Sequence, residues 1–330
     1  MSSDSNVPVL VTGGAGYIGS HAILALREAD YPVVVIDNLS TGERRLVPKD
    51  VPLVVGNIAD QELVSAVISE HKCKAAMHFA GSIIVPESII DPLKYYANNT
   101  ATSRDLIACC VREGIEAFIF SSTATVYGNP QCVPLPETAE TLPVNPYGTS
   151  KLMTEWMLRD VSAATGMHHA ILRYFNVAGA DPAGRSGQSG PDSSHLIRVA
   201  CELIVGKRSK MSVFGTDYTT PDGTCIRDYV HVSDLAEAHV LALEHLLRHG
   251  ENVILNCGYG HGFSVWQVID VVRKLVGREL AIHMSARRAG DAEILVSDSR
   301  KIRETLDWKP RFDDLETIVS TALDWERKRV

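Results

Sequence analysis

Tyr147 and Lys151 are the residues whose types and spacing most directly indicate catalysis. Residues four apart in a helix lie on the same face, so both side chains can act on one reacting group. A phenol with a pKa near about 10 is a poor base at neutral pH, but a neighbouring ammonium favours its phenolate. Lowering the pKa to about 7 requires about 4 kcal/mol, which a partly buried site with two nearby cations can supply. The pair therefore predicts a general acid/base.

A run of hydroxyl side chains, residues 121–123, ends an apolar segment upstream of this pair. Thr123 is suited to hydrogen-bond the oxygen with which Tyr147 exchanges a proton. Taken alone, Tyr-x-x-x-Lys occurs by chance in many helices as an exposed pair, and such hydroxyls also cap helices. The joint presence of Thr123, Tyr147 and Lys151 favours the catalytic interpretation.

A glycine-rich turn near the start of the chain predicts a dinucleotide site. Residues 14, 16 and 19 fit G-x-G-x-x-G, and Gly13, Gly16 and Gly19 fit the wider G-x-x-G-x-x-G spacing. The first glycines allow a tight turn and a close approach to a pyrophosphate, and the last lets the following helix pack on its strand. The helix N-terminus then presents N–H groups to the phosphates. By itself, the pattern also fits a tight loop without a ligand.

Asp37 follows the next apolar run, residues 31–36, and this favours the dinucleotide interpretation. An acid at the end of the second strand can hold the hydroxyls of an adenosine ribose. Its carboxylate would repel a 2′-phosphate and no arginine follows immediately, so NAD is favoured over NADP. Arg44 and Arg45 lie further along and leave that choice open in part. The nicotinamide charge would be the second cation beside Tyr147.

Further short apolar runs alternate with helix-like segments and indicate the fold class. The runs cover residues 52–55, 75–79, 117–120 and 169–172. Continuous apolar runs are typical of parallel strands buried on both faces, so the N-terminal half is predicted to be a doubly wound α/β Rossmann sheet. Residues 80–81, 121–123 and 174–176 then lie at the carboxyl ends of strands, where such sheets bind ligands.

Long helices are predicted over residues 91–112 and 147–164. Both can carry a second apolar face for dimerisation, although ordinary crossover helices packed only on the sheet show the same pattern.

The second half of the chain is predicted to be a smaller α/β substrate-binding domain. Residues 180–192 are rich in loop residues, glycines and prolines recur up to residue 223, and helices are predicted over 233–247, 264–275 and 313–326. We therefore expect an NAD-binding domain over residues 1–176 and a substrate domain over 177–330, with parts of about 228–260 packing back on the first.

Composition excludes several classes of function. The chain has 330 residues, 45% of them hydrophobic, and a net charge of −8, which offers no basic field for nucleic acid or anionic membranes. Residues 1–6 lack the pattern of a signal peptide and no apolar run is long enough for a membrane span, so a cytoplasmic protein is expected. Seven cysteines without C-x-x-C spacing predict neither disulfides nor a zinc site, and no metal is expected.

Together these motifs resemble the extended short-chain dehydrogenase/reductase family, and within it the UDP-glucose 4-epimerases. The resemblance extends over nearly the whole chain. The matching stretches are residues 11–21, 37–39, 78–81, 118–128, 146–151, 172–176, 223–231 and 287–291.

The resemblance implies redox epimerisation of a UDP-sugar on tightly held NAD in a homodimer. Tyr147 would exchange the C4 proton, Lys151 would lower its pKa and bind the nicotinamide ribose, and Thr123 would bond the reacting oxygen. The implied cofactor contacts are Gly13, Gly16, Tyr17, Ile18, Gly19, Asp37, Asn38, Asn57, Ile58, Phe79, Ala80, Gly81, Asn98, Ser121, Tyr147, Lys151 and Tyr174. The implied substrate contacts are Thr123, Asn176, His195, Leu196, Phe214, Arg227, Arg288, Asp291 and Leu295.

Four positions depart from the family pattern. Ile83 stands where several members have a lysine near the cofactor, and Asn57 replaces an aspartate at the adenine edge. His195 replaces a common asparagine, and Leu295 stands where some members have a tyrosine. A smaller residue at the last position is associated with N-acetylated sugars, so 4-epimerisation of UDP-N-acetylglucosamine or of a UDP-pentose is the alternative.

More remote alternatives share the glycine turn and the Tyr/Lys pair. A nucleotide-sugar 4,6-dehydratase has an Asp-Glu pair after the Ser/Thr position, whereas Ala124 and Thr125 follow Thr123 here. The pattern does not exclude a UDP-glucuronate decarboxylase. A non-catalytic NAD-sensing regulator need not keep Thr123, Tyr147 and Lys151 together.

Overall fold

The computed structural model describes residues 7–190, 194–288 and 291–329. The lead-in of residues 1–6 and the end of the loop predicted over 180–192 lie outside the described residues. The strands are β1 (Val9–Thr12), β2 (Val33–Asp37), β3 (Leu53–Val55), β4 (Ala75–His78), β5 (Ala117–Thr123), β6 (His168–Tyr174), β7 (Asn176–Ala178), β8 (Met211–Phe214), β9 (Ile226–Arg227), β10 (Tyr229–His231), β11 (Val253–Cys257), β12 (Phe263–Ser264), β13 (Ile282–Ser285) and β14 (Ile294–Leu295). The helices are α1 (Tyr17–Glu28), α2 (Gln61–His71), α3 (Val85–Ile90), α4 (Pro92–Tyr95), α5 (Thr102–Arg112), α6 (Pro146–Thr165), α7 (Leu196–Ile204), α8 (Val232–His249), α9 (Val265–Val276), α10 (Arg300–Leu306) and α11 (Leu315–Lys328).

A parallel sheet organises the described part of the chain, in the strand order β3-β2-β1-β4-β5-β6-β11. All neighbouring strands in it run parallel. The chain moves outward from β1 to β3 and then crosses to β4 on the other side of β1. Ligands of such sheets bind at the carboxyl ends of the strands where the order reverses, here between β1 and β4. The predicted doubly wound α/β fold is confirmed.

Two apolar cores cover the two faces of the sheet. In β1, Val9 and Val11 belong to one core and Leu10 to the other, because successive side chains of a strand point to opposite faces. The first core includes residues of α1 and α8, and the second includes residues of α2, α5 and α6. Burial on both faces explains why the strand sequences are continuously apolar.

Within the described residues, the C-terminal half forms three small sheets and contributes one strand to the large sheet. β7 pairs with β10, β9 lies between β12 and β14, and β8 pairs with β13. β11 pairs with β6 at the edge of the large sheet, and α8 packs on α1, β5 and β6. The domain boundary at residue 176 stays a prediction.

Two predicted segments differ from the structure. The helix predicted over residues 91–112 is divided into α4, a π-helical turn (Tyr96–Ala101) and α5. Helix α7 lies in the region for which glycines and prolines indicated loops, and Ile197, Ala200 and Cys201 on its inner face are buried in the first core. Residue spacing alone shows neither change. In the case of α7, burial of its inner face depends on contacts with α9 and α11.

No helix within the described residues combines the length and the hydrophobicity needed to cross a bilayer.

Candidate active site

A cavity of about 1720 Å³ lies at the carboxyl ends of the strands, between the sheet and the C-terminal half. Pockets for one ligand are commonly about 300–1,000 Å³, so this cavity has room for two. Apart from Lys151, every predicted cofactor and substrate contact lines it. Lys151 is buried beneath the cavity wall.

At the glycine turn, backbone atoms without side chains line the cavity. Gly13 has a φ of +72°, and a Cβ there would lie 2.5 Å from the Ala80 amide nitrogen. A Cβ at Gly19 would lie 2.3 Å from the Gly13 carbonyl oxygen, so both positions require glycine. Helix α1 starts after Gly16 with no capping side chain and no acidic residue in its first turn. The positive end of this helix is thus available to a phosphate group.

Asp37 is buried beside this turn at the end of β2. Its two carboxylate oxygens accept hydrogen bonds from the Ala15 and Leu39 amides, at 2.9 and 2.8 Å. Each oxygen keeps a second acceptor site, and a ribose diol needs such acceptors. Arg45 lies 2.5 Å from the Glu43 carboxylate, and an ion pair there competes with any 2′-phosphate.

The end of the cavity next to Asp37 contains two asparagines in similar turns. The Asn38 and Asn57 side-chain oxygens each accept a 3.0 Å hydrogen bond from the amide two residues later. Because an amide oxygen has two lone pairs, Asn57 can still accept a hydrogen bond from an adenine amino group. Ile58, next to it, is buried.

The predicted catalytic residues meet where β5 ends and α6 begins. Asn145 caps α6 by accepting from the Gly148 amide, and Pro146 is the first helical residue, so the start of the helix fixes Tyr147 in its first turn. Lys151 donates to the Ser121 carbonyl at 3.1 Å. The helix and the strand therefore hold the Tyr147 and Lys151 side chains at the same end of the sheet as the glycine turn.

Burial perturbs both members of this pair. Burial raises the pKa of Tyr147, Tyr174 and Tyr95 add to that rise, and a hydrogen bond with Thr123 opposes it. Burial also lowers the pKa of Lys151 to about 8, with Glu155 acting in the opposite direction. The protein's own groups thus favour the neutral phenol of Tyr147, and the role of Lys151 in lowering its pKa stays a prediction.

Tyr174 and Ser121 form the wall beside these residues. The Ser121 hydroxyl donates to the Tyr174 hydroxyl at 2.9 Å. Burial raises the pKa of Tyr174 to about 12, so this phenol stays protonated at neutral pH.

The opposite wall carries the predicted substrate residues. Arg227 on β9 pairs in register with Leu295 on β14, and its Nη2 lies 3.9 Å from the Asp291 carboxylate. The Arg288 guanidinium lies 3.8 Å above the Phe214 ring. These two arginines give a local positive site for a diphosphate in a chain of negative net charge.

The remaining predicted substrate residues lie at element ends. Asn176 begins β7 in register with Tyr229, and its side chain is exposed to the cavity. His195 is the N-cap of α7, and its Nδ1 lies 3.1 Å from the side-chain nitrogen (Nε2) of Gln188; Leu196 follows it as the first helical residue. Burial and Arg198 lower the pKa of His195, so its ring is neutral near pH 7.

Asn99 is a site residue that the sequence did not reveal. Its side-chain oxygen accepts from the Ser82 amide at 2.7 Å, and its nitrogen donates to the Ser150 hydroxyl at 3.1 Å. It thereby links the turn after β4 to α6, the helix that carries Tyr147 and Lys151. The π-helical turn directs Asn99 inward, and no residue pattern marks that turn.

Comparison with known proteins agrees with this geometry. The model of the NAD dependent epimerase/dehydratase family matches residues 9–258. A UDP-glucose 4-epimerase of Azospirillum brasilense is 57% identical over 97% of this chain and 92% of its own length.

Solved structures are similar over the same extent. The UDP-glucose 4-epimerase from Brucella ovis in complex with NAD superposes with a TM-score of 0.93 at 42% identity, covering 96% of this chain and 98% of that one. The UDP-Glc/GlcNAc 4-epimerase from Campylobacter jejuni gives a TM-score of 0.86 at 45% identity, covering 98% of this chain and 100% of that one.

Proposed function

The chain belongs to the NAD dependent epimerase/dehydratase family, and we propose that it is an isomerase that interconverts UDP-glucose and UDP-galactose. The observation that carries the proposal is the content of one cavity. Thr123 and Tyr147 lie there with the glycine turn on one side and Arg227 and Arg288 on the other. The cavity thus combines a dinucleotide site, an acid/base and a diphosphate site.

NAD fits the dinucleotide half of the cavity. The uncapped start of α1 suits its pyrophosphate, the bare backbone at Gly13 permits close approach, and Asp37 suits the adenosine ribose. When bound, NAD supplies the acceptor that takes the C4 hydride of the sugar and returns it to the opposite face.

Tyr147 acts as the base in one half-reaction and as the acid in the other. In the oxidising half, the C4 hydroxyl proton passes to the Tyr147 phenolate oxygen, and in the reducing half the same oxygen returns it. Thr123 now donates to the Thr125 hydroxyl at 3.0 Å, and by rotating its hydroxyl it can bond the substrate oxygen instead. With a pKa of about 8, Lys151 is mostly protonated at neutral pH and favours the phenolate.

The arginines hold the UDP group while the sugar changes faces. Arg227 and Arg288 bind diphosphate oxygens, Asp291 the uridine ribose, and Phe214 and Leu196 contribute apolar contacts. Because the nucleotide is anchored and the sugar is not, the 4-keto sugar can rotate between the two hydride transfers. Asn176 and His195 donate to the sugar and the diphosphate.

N-acetylated UDP-sugars are the second candidate substrates. Leu295 lines the cavity in register with Arg227, and a leucine there leaves more room than a tyrosine. The name of the similar Campylobacter jejuni enzyme includes both UDP-Glc and GlcNAc.

We also propose a homodimer through α5 and α6. A surface groove between these helices is lined by Tyr96, Met153 and Met157, and Trp156 nearby is 48% exposed. Apolar side chains so exposed favour burial against a second copy. A Trp156→Glu variant should shift the molar mass measured by light scattering from dimer toward monomer, whereas an unchanged mass would contradict this interface.

A cytoplasmic location is proposed because all seven cysteines are unpaired, as is usual in a reducing compartment. We further propose that residues 1–176 bind NAD and residues 177–330 bind the UDP-sugar.

The test is NMR of the purified protein with UDP-galactose, UDP-N-acetylgalactosamine and a UDP-pentose in turn, without added cofactor. We expect conversion of UDP-galactose to UDP-glucose by NAD that copurifies with the protein. If none of these sugars interconverts even after NAD is supplied, the proposed function is wrong.

A further inference from the structure

A short segment, residues 187–190, crosses the cavity wall and is held by side chains from two helices; we call it the strap. The Gln188 carbonyl accepts from the Trp325 indole nitrogen at 2.9 Å and from Arg329 at 3.2 Å. The Ser189 and Gly190 carbonyls both accept from Arg198, at 3.0 and 2.6 Å. Side chains from α7 and from the C-terminal end of α11 thus hold three consecutive carbonyls.

The strap lies against the cofactor side of the cavity. Gly190 has a φ of +89°, and a Cβ there would lie 3.2 Å from the Thr41 carbonyl oxygen. The Gly190 amide lies 3.4 Å from the Glu43 carboxylate. The Glu43 amide in turn donates to the Ala15 carbonyl of the glycine turn at 2.9 Å. The strap is therefore joined, through residues 41–43, to the turn that the dinucleotide approaches.

Buried charges fix the side chains that hold the strap. Arg198 is 7% exposed and pairs with Glu202 at 2.9 Å and with Glu326 at 3.7 Å. Glu326, 2% exposed, also pairs with Lys207 at 2.8 Å and with Arg329 at 3.0 Å. Removing one member of such a buried group leaves an uncompensated charge, so the group has one strongly favoured arrangement.

The Trp325 ring packs against the strap at Gly187. A Cβ at Gly187 would lie 2.4 Å from this ring, so the indole packs directly on the strap backbone. The Arg45 guanidinium, 5.7 Å from the ring centre, comes from the same segment as Glu43. The end of α11 therefore contacts both the strap and the segment after β2.

We propose that Arg198, Trp325 and Arg329 are positioning residues that hold the strap against the cofactor side and so slow the exchange of bound NAD. They touch no reacting atom. The inference rests on the proposed function, because an epimerase must keep its reduced cofactor until the hydride returns, whereas a dehydrogenase must release it. The C-terminal helix, far from the glycine turn in sequence, thereby determines how long the cofactor stays.

The test measures exchange of isotopically labelled NAD from the loaded enzyme into an excess of unlabelled NAD, by mass spectrometry. Trp325→Phe keeps an aromatic ring but removes the indole donor. Arg329→Ala removes the second donor to Gln188 together with the ion pair to Glu326. We expect each to exchange NAD about tenfold faster, the order of one lost hydrogen bond. Arg327→Ala is the matched control on the same helix, because Arg327 is 55% exposed and its ion pair with Asp324 lies at the surface.

A second readout separates exchange from general destabilisation. The variants should lose activity on dilution and recover it when NAD is added, with an unchanged kcat at saturating NAD. Exchange at the wild-type rate in both variants, or a loss of activity that NAD does not restore, would overturn the proposal. Neither result bears on the proposed function, which fails only if the wild-type protein with NAD does not interconvert its UDP-sugars.

Discussion

Replacing Lys151 with methionine should make the folded protein more stable near neutral pH while it removes activity. Lys151 is 3% exposed, and its ammonium has the Ser121 carbonyl as a hydrogen-bond acceptor. A charge held in such a buried place costs folding free energy that an apolar side chain of similar length does not.

The size of this effect follows from the pKa of Lys151, which burial lowers from 10.5 to about 8. At about 1.4 kcal/mol per tenfold change in proton affinity, the buried charge costs about 3 kcal/mol near pH 7. Methionine leaves the Ser121 carbonyl without its donor, which offsets about 1 to 2 kcal/mol. We therefore expect Lys151→Met to increase the free energy of unfolding by about 1 to 2 kcal/mol near neutral pH.

The pH dependence has a definite sign. Because the pKa of Lys151 is lower in the folded state, the unfolded wild-type chain binds more protons between about pH 8 and 10.5. Wild-type stability therefore gains from this group as pH rises through that window, and the methionine variant has no such gain. The stability difference between Lys151→Met and wild type should fall by about 2 to 3 kcal/mol between about pH 7 and about pH 10, so that the variant becomes the less stable protein at the higher pH.

Urea unfolding of the nucleotide-free proteins at these two pH values measures the difference. Lys49→Met, which removes an exposed lysine, controls for loss of a positive charge. If the difference between wild type and Lys151→Met is the same at both pH values, burial does not set the proton affinity of Lys151 and the reasoning is wrong.

Three other substitutions test the assigned roles. Tyr147→Phe should lower kcat by about 10²- to 10⁴-fold in a UDP-galactose assay, with bound NAD unchanged; near wild-type turnover would remove Tyr147 as the acid/base. Gly13→Ala should reduce the NAD content of the purified protein, because residue 13 has a φ of +72° and an added Cβ would lie 2.5 Å from the Ala80 nitrogen. Absorbance after denaturation measures the released NAD, and a full complement of NAD would show that the turn can adapt. Arg227→Lys should raise KM for UDP-galactose roughly tenfold with little change in kcat, because lysine cannot bind two phosphate oxygens in a planar fork; an unchanged KM would place the diphosphate elsewhere.

The large sheet and the dinucleotide end of the cavity were predictable because their signals are local. Glycines that follow an apolar run, and an acid that ends the next run, each specify a backbone turn and a strand end. Once the strands are taken as parallel, their carboxyl ends must meet at one edge, which brings Asp37, Thr123 and Tyr174 together. In β1, successive residues belong alternately to the two cores, as expected for a strand that is buried on both faces.

The parts that escaped prediction depend on contacts between distant segments. Helix α7 is stable because α9 and α11 bury its inner face. β11 lies in the segment predicted to pack back on the first domain, but its role as a sheet strand depends on the unpaired edge that β6 offers. Arg198 resembles any surface arginine in the sequence. Only the fold brings it to the strap carbonyls and to Glu326, more than a hundred residues further along the chain.

Burial also gives Tyr147 and Lys151 a property that the Tyr-x-x-x-Lys pattern cannot show. Because burial raises the pKa of Tyr147 and leaves that of Lys151 at about 8, the protein alone favours a neutral phenol beside an ammonium. In that state Tyr147 is ready to donate a proton, as the reducing half of epimerisation requires. The oxidising half needs the phenolate, and a further positive charge at the nicotinamide position is what would favour it. As the proposed acid/base, a buried Tyr147 suits a cycle that needs both protonation states better than a permanently ionised one does, because each direction of proton transfer is favoured only at its own stage.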